Sequence, residues 1–222
     1  MPLTALGYSD SFLLLENDMQ QADCAQFLYG RVSFFSSKSP QKETPNEDAL
    51  LVVNFNRTCT VLALADGVGG HKRGAEAARI ALATLQEELL LTKEKLLRSV
   101  IVSAIEKANE NILALGVGAA TTLVIALLQD GHFQTFHAGD SACYVLGGRG
   151  KIKWKTTAHS TVGYAEEAGM LSEQEALAHE DRNVVLNVLG DKEMHIAVGP
   201  KKSLSRKYRV ILASDGILDN LS

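Results

Sequence analysis

Polar and apolar residues fall into three regimes along this chain. Residues 36–48, SSKSPQKETPNED, carry two prolines and almost no apolar side chain, which predicts a loop. Two short β-rich runs follow, ALLVVNF (49–55) and TVLALAD (60–66), separated by the turn-like NRTC. They predict a hairpin that starts one strand at Asp48 and ends the next at Asp66. An antiparallel pair brings those two ends to the same edge of a sheet.

The period then lengthens. Ala78, Leu82, Leu85 and Leu89 form one stripe of a helix predicted from about Gly74 to Leu91. Leu97, Val100, Ile101, Ala104, Ile105, Ala108 and Ile112 form the stripe of a second, predicted from about Lys93 to Leu115 with Thr92 as its N-cap. Strands return with TTLVIALL and HFQTFHAGD around QDG, a tight-turn signal. SACYVL leads through GGRG into KIKWKT as a further hairpin, SEQEALAHE is helical, and YRVILAS is the last strand before a final Asp-Gly. Strands, then helices, then strands in hairpins predict an α+β protein with mostly antiparallel sheets.

Composition narrows the partners more than the fold. The chain has 222 residues, 46% hydrophobic and 22% charged, with a net charge of −4. That fits one globular domain, or at most two small ones, and gives no reason to expect nucleic acid or an anionic membrane as partner. Cys24, Cys59 and Cys143 share no metal-type spacing, so neither a disulfide framework nor a zinc site is expected. Apolar stretches fall short of the about 20 residues of a membrane span. A cytoplasmic protein is the expectation.

Three times an apolar strand runs into an Asp beside a glycine: LALADG, FHAGDS and ILASDG. After Asp66 the glycines Gly67, Gly69 and Gly70 permit φ > 0 and close approach to a ligand, which suits a phosphate cradle, a metal site or a tight strand-to-helix turn. Asp is a preferred turn residue, so one such junction means little. Convergence of Asp48, Asp66, Asp140 and Asp215 would be different, because clustered carboxylates repel unless cations neutralise them. All-oxygen ligands suit Mg²⁺ or Mn²⁺. The P-loop spacing G-x-x-x-x-G-K-[ST] is absent, which argues against a nucleotide-binding turn. His137 and His159 read as packing or hydrogen-bonded residues, Cys143 as a small buried hydrophobe, and His71, Lys72 and Arg73 as a solvated basic turn.

NEDA, ADGVGGHKRGAEAA, GAATTL, HAGDSACYVL, AHSTVGYAEEAGMLSEQEAL, DRNVVLNVLGD and ILASDGILDN together resemble, in order, the motif series of the metal-dependent Ser/Thr protein phosphatases, the type 2C family in its bacterial form. The resemblance runs from about Asn46 to the chain's end. It implies a β-sandwich of two mainly antiparallel sheets flanked by helices, in four α-β-β-α layers. It divides the chain into an N-terminal segment (1–45) and a phosphatase-like part (46–222), with a flap over about 158–183. It implies two or three Mn²⁺ or Mg²⁺ ions. Asp66 would bridge two of them, Gly67 would offer its carbonyl, Asp215 would ligate the first, and Glu47 and Asp48 would hold waters on the metals. Asp140 and Asp219 would form a third, weaker site. The reaction implied is hydrolysis of phosphoserine or phosphothreonine on proteins phosphorylated by a Ser/Thr kinase.

Two departures from the family pattern shape the expectations. Many members carry an Arg shortly before Asn-Glu-Asp to hold the substrate phosphate. KETPNED has none, which leaves Lys42 or Lys38 as a point-charge substitute. The family pattern also has a last metal-ligand Asp beyond the position of Ser222. A catalytically weak phosphatase-fold binding module is therefore the alternative reading. Uncovered strand edges would favour self-association.

Overall fold

In the computed structural model, residues 11–27, 30–39, 44–56, 58–68, 72–93 and 96–218 are described. In chain order the strands are β1 (Ser11–Leu15), β2 (Asp23–Phe27), β3 (Gly30–Phe34), β4 (Asp48–Asn56) and β5 (Cys59–Val68). The helices α1 (Lys72–Leu91) and α2 (Leu97–Leu113) follow. Then come β6 (Ala120–Thr121), β7 (Leu123–Gln129), β8 (His132–Ala138), β9 (Ala142–Leu146) and β10 (Ile152–Lys155). The short helices α3 (Thr161–Glu167) and α4 (Glu173–Ala178) precede β11 (Ala197–Val198), β12 (Lys202–Ser203), β13 (Arg209–Ala213) and α5 (Asp215–Leu218).

One large sheet runs β1-β4-β5-β7-β8-β11, with β12 also on β8 and β6 on β5; a second runs β10-β9-β13, and β2 pairs β3. Among the described residues every strand pair is antiparallel. The α+β reading from the sequence is thus the architecture observed.

The two faces of the large sheet are sorted by the period of two. Along β5, Cys59, Val61, Ala63 and Ala65 are buried in the core beneath α1 and α2. Leu62 and Leu64 turn to the other face, where Leu212 and Val210 of β13 and Cys143 of β9 meet them. The small sheet therefore packs on the face opposite the helices.

Ala77, Ala78 and Ala81 let α1 approach the sheet closely, and Leu82, Leu85 and Leu89 complete its buried stripe. Each buried leucine contributes roughly 2 kcal/mol of transfer free energy. No helix among the described residues is long and apolar enough to cross a membrane.

Two expectations about local structure need correction. Helix α2 begins at Leu97 and has no side-chain N-cap. Thr92 instead donates its N–H to Glu88 O, closing the end of α1. The glycine at 67 does not serve a positive φ, since Gly67 is not among the residues with φ > 0. A Cβ there would lie 2.3 Å from the backbone carbon of Gly74, so Gly67 and Gly74 let the end of β5 press against the first turn of α1. Gly69 and Gly70 lie outside the described residues. The Asp130–Gly131 turn has φ of 50° and 72°, as a two-residue hairpin turn requires.

Candidate metal centre

The centre is built on the β4–β5 hairpin. Asp48 pairs with Asp66 directly across the two strands, so both carboxyls leave the same face of the sheet. By alternation that is the face turned to the small sheet, not to the helices. Leu212 and Ala213 of β13 and Asp215 of α5 complete the opposite wall, and Ser214 Oγ donates to Asp48 Oδ2 at 3.0 Å. A cleft of about 460 Å³ joins these groups, lined among others by Glu47, Asp48, Asp66, Asp215 and Lys38.

The backbone here is fixed by hydrogen bonds. Thr122 accepts Asp66 N–H on its Oγ1 at 3.2 Å and donates its own N–H to Asp66 O at 2.8 Å. Thr121 Oγ1 donates to the same carbonyl at 2.8 Å. Gly67 N–H reaches Glu47 O at 3.3 Å, tying the ends of the two strands together. Asn46 donates to Asn17 O and Ser36 Oγ at 2.7 and 2.8 Å and accepts from Asp48 N–H at 3.0 Å. The residues just before the hairpin are thereby anchored to the segments that follow β1 and β3.

The carboxyls of this cluster repel one another. Burial, then repulsion from Asp48 and from Asp215, and hydrogen bonding to both, push the Asp66 carboxyl far above the usual carboxylate range. Among the described residues, no three His, Cys, Asp or Glu side chains form a preformed metal cage. Asp66 instead lies close enough to Asp48 and Asp215 to share a proton with them. A divalent ion would neutralise this repulsion, and the donor set of hard oxygens fits Mg²⁺ or Mn²⁺. Cys143, pushed up to about 12 by burial, is a core residue and no nucleophile.

Asp140 is placed differently from the other acids. It sits half-buried in the turn between β8 and β9 and is not part of the cleft wall. Its neighbour Ser141 shares a 2.7 Å hydrogen bond with Thr122 Oγ1, one step from Asp66. Lys38 is exposed on the cleft rim. Asp219, Lys42 and His71 lie outside the described residues, and Arg73 donates to Val117 O at 2.7 Å on the surface.

The sequence pattern assigns no role to Asn46, Ser214 or the Thr121–Thr122 pair. The last two were visible as ASDG and GAATTL, but their task is to bond a backbone or a neighbouring acid. Chain spacing does not show such pairings.

Known proteins with a similar sequence or fold point to one family. The family model described as Protein phosphatase 2C matches residues 37–222. The Streptococcus pneumoniae protein phosphatase PhpP is 30% identical over 191 residues, covering 82% of this chain and 77% of its own. The Mycobacterium tuberculosis serine/threonine phosphatase PstP/Ppp superposes with a TM-score of 0.71 at 25% identity, over 85% of this chain and 79% of its own. Stp1 from Staphylococcus aureus, at 24% identity, shares the fold with a TM-score of 0.75, covering 100% of this chain and 81% of its own. With the cross-strand acids and the carboxylate cleft in place, the chain belongs to the protein phosphatase 2C family and is a protein serine/threonine phosphatase of the bacterial type.

Proposed function

We propose that the cleft between β5 and β13 is a divalent-metal centre at which the chain hydrolyses phosphoserine and phosphothreonine on proteins. The observation that carries this is the direct cross-strand pairing of Asp48 with Asp66, with Asp215 close enough to raise the Asp66 proton affinity. Asp66 and the Gly67 carbonyl would hold Mn²⁺ or Mg²⁺ together with Asp215, while Glu47 and Asp48 would orient water around the ions. Asp140 and Asp219 would serve a third, weaker position. A related structure, the catalytic domain of the phosphatase PstP, is in complex with two manganese ions. Bound ions would supply an activated water and neutralise charge on the phosphoryl group during in-line displacement.

The chain's own residues do the rest. Ser214 fixes the Asp48 carboxyl, and Thr121 and Thr122 fix the backbone of Asp66, so the acids face each other without rearrangement. Lys38 on the rim supplies the charge that would draw the substrate phosphate in. The substrates would be the products of a Ser/Thr kinase. The outer edge of β13, which has no partner strand among the described residues, would be a site of self-association.

The test is Asp66→Ala. Mn²⁺-dependent hydrolysis of a phosphothreonine peptide should fall at least about a thousandfold, the scale of losing a Lewis-acid site. The metal-free melting temperature should hold or rise as repulsion is relieved. Turnover near wild type would sink the assignment.

A further inference from the structure

A buried polar chain links the segment after β10 to the turn that carries Asp140. Its centre is His159, 4% exposed, stacked on His137 with ring centroids 4.4 Å apart and against His195 at 5.0 Å. His159 Nδ1 accepts from the Gly139 N–H at 3.2 Å and from Asn187 Nδ2 at 2.7 Å. Asn187 is orientated by its other bonds, since its Oδ1 accepts from His195 N at 3.0 Å and its Nδ2 also donates to His195 O. With two donors aimed at Nδ1, the ring is the Nε2–H tautomer.

The backbone repeats the clamp, as His159 N–H donates to Gly139 O at 3.0 Å and Leu186 N–H to His159 O at 2.8 Å. On its other side Gly139 is pressed by Thr122. Its φ is +114°, and a Cβ would lie 2.6 Å from the Thr122 Cβ. The turn before Asp140 is thus gripped between Thr122, which also holds Asp66, and His159, which opens the flap segment.

We infer that His159 is a positioning residue. Its Nδ1 holds the Gly139–Asp140 turn, so that the place of Asp140 relative to Asp66 depends on how the 158–187 segment is docked. This rests on the proposed metal role of Asp140. The clamp needs an acceptor at the δ position, which Asn supplies with Oδ1 and Gln does not.

The test compares His159→Gln, His159→Asn and Asp140→Asn. In the metal-free protein, hydrogen exchange at the Gly139 amide should quicken by about tenfold in His159→Gln, the scale of an unsatisfied buried donor. It should stay near wild type in His159→Asn. The Mn²⁺ concentration giving half-maximal turnover should rise about tenfold in His159→Gln and in Asp140→Asn, and recover in His159→Asn. Exchange unchanged in His159→Gln, or His159→Asn as defective as His159→Gln, would overturn the inference, leaving ring packing as the role of His159. If Asp140→Asn leaves the Mn²⁺ dependence untouched, the metal role of Asp140 falls, while the exchange data still judge the clamp.

Discussion

Asp66, near the end of β5, and Asp140, in the turn just after β8, occupy similar sequence contexts, LALADG and FHAGDS, and those two strands point the same way in one sheet, with β7 between them. Their glycines nonetheless answer different demands. Gly67 has no positive φ and is needed because the backbone of Gly74 sits against it; Gly139 has φ +114° and faces a side chain. Asp66 faces Asp48 across a strand pair and shares its cleft with Asp215, whereas Asp140 stands in a turn held by neighbours from two other segments. A strand-end acid becomes a metal ligand candidate through what the adjacent strands place opposite it, not through its own motif.

That contrast can be broken most forcefully at the two acids. Asp66→Ala should cost at least about a thousandfold in turnover, and Asp140→Asn only about tenfold, because on the proposed centre the first would remove a shared ligand and the second a peripheral one. Equal losses would erase the distinction. Phosphopeptide kinetics across a Mn²⁺ series check it.

The glycines come next. Gly67→Ala should destabilise by ~3 kcal/mol, because the obstructing atoms are backbone and cannot swing aside. Gly139→Ala should cost ~2 kcal/mol, mainly from the strained φ. Urea unfolding of the metal-free proteins measures both, and a smaller cost at Gly67 would contradict the close-approach account.

How much of this was legible in the sequence follows the range of the interactions. The β4–β5 hairpin was readable because alternation and a short turn fix its register, and with it the meeting of Asp48 and Asp66. The α2 start was not, because Thr92 resembles an N-cap in sequence but is bonded to the preceding helix. The sequence marks His137 and His159 only as packing or hydrogen-bonded residues. Their partners at Gly139, Thr157 and Asn187 lie about 20 to 28 residues away in the chain, and no period connects them.

Titration separates the two regions with smaller effects. The Asp66 carboxyl is raised from 3.8 to about 10 in the fold, so its contribution is present at low pH and lost as pH rises through that window. His159 is lowered from 6.5 to about 4, by burial and then by His137 and His195, so its contribution is present above pH 6.5 and lost as pH falls toward 4. Without metal, Asp66→Asn should flatten the loss of stability between pH 7 and 9. His159→Asn should lessen the loss between pH 6 and 4. Melting curves across pH check both, and a wild-type slope in Asp66→Asn would contradict the repulsion account.

The central claim is that Asp66 joins two divalent ions to the β4–β5 hairpin, and calorimetric titration of Mn²⁺ into the wild-type chain and into Asp66→Ala tests it most directly. Saturable binding in the wild type that disappears in Asp66→Ala, with the mutant still folded, is the result predicted. Unchanged stoichiometry and affinity in the mutant would contradict it.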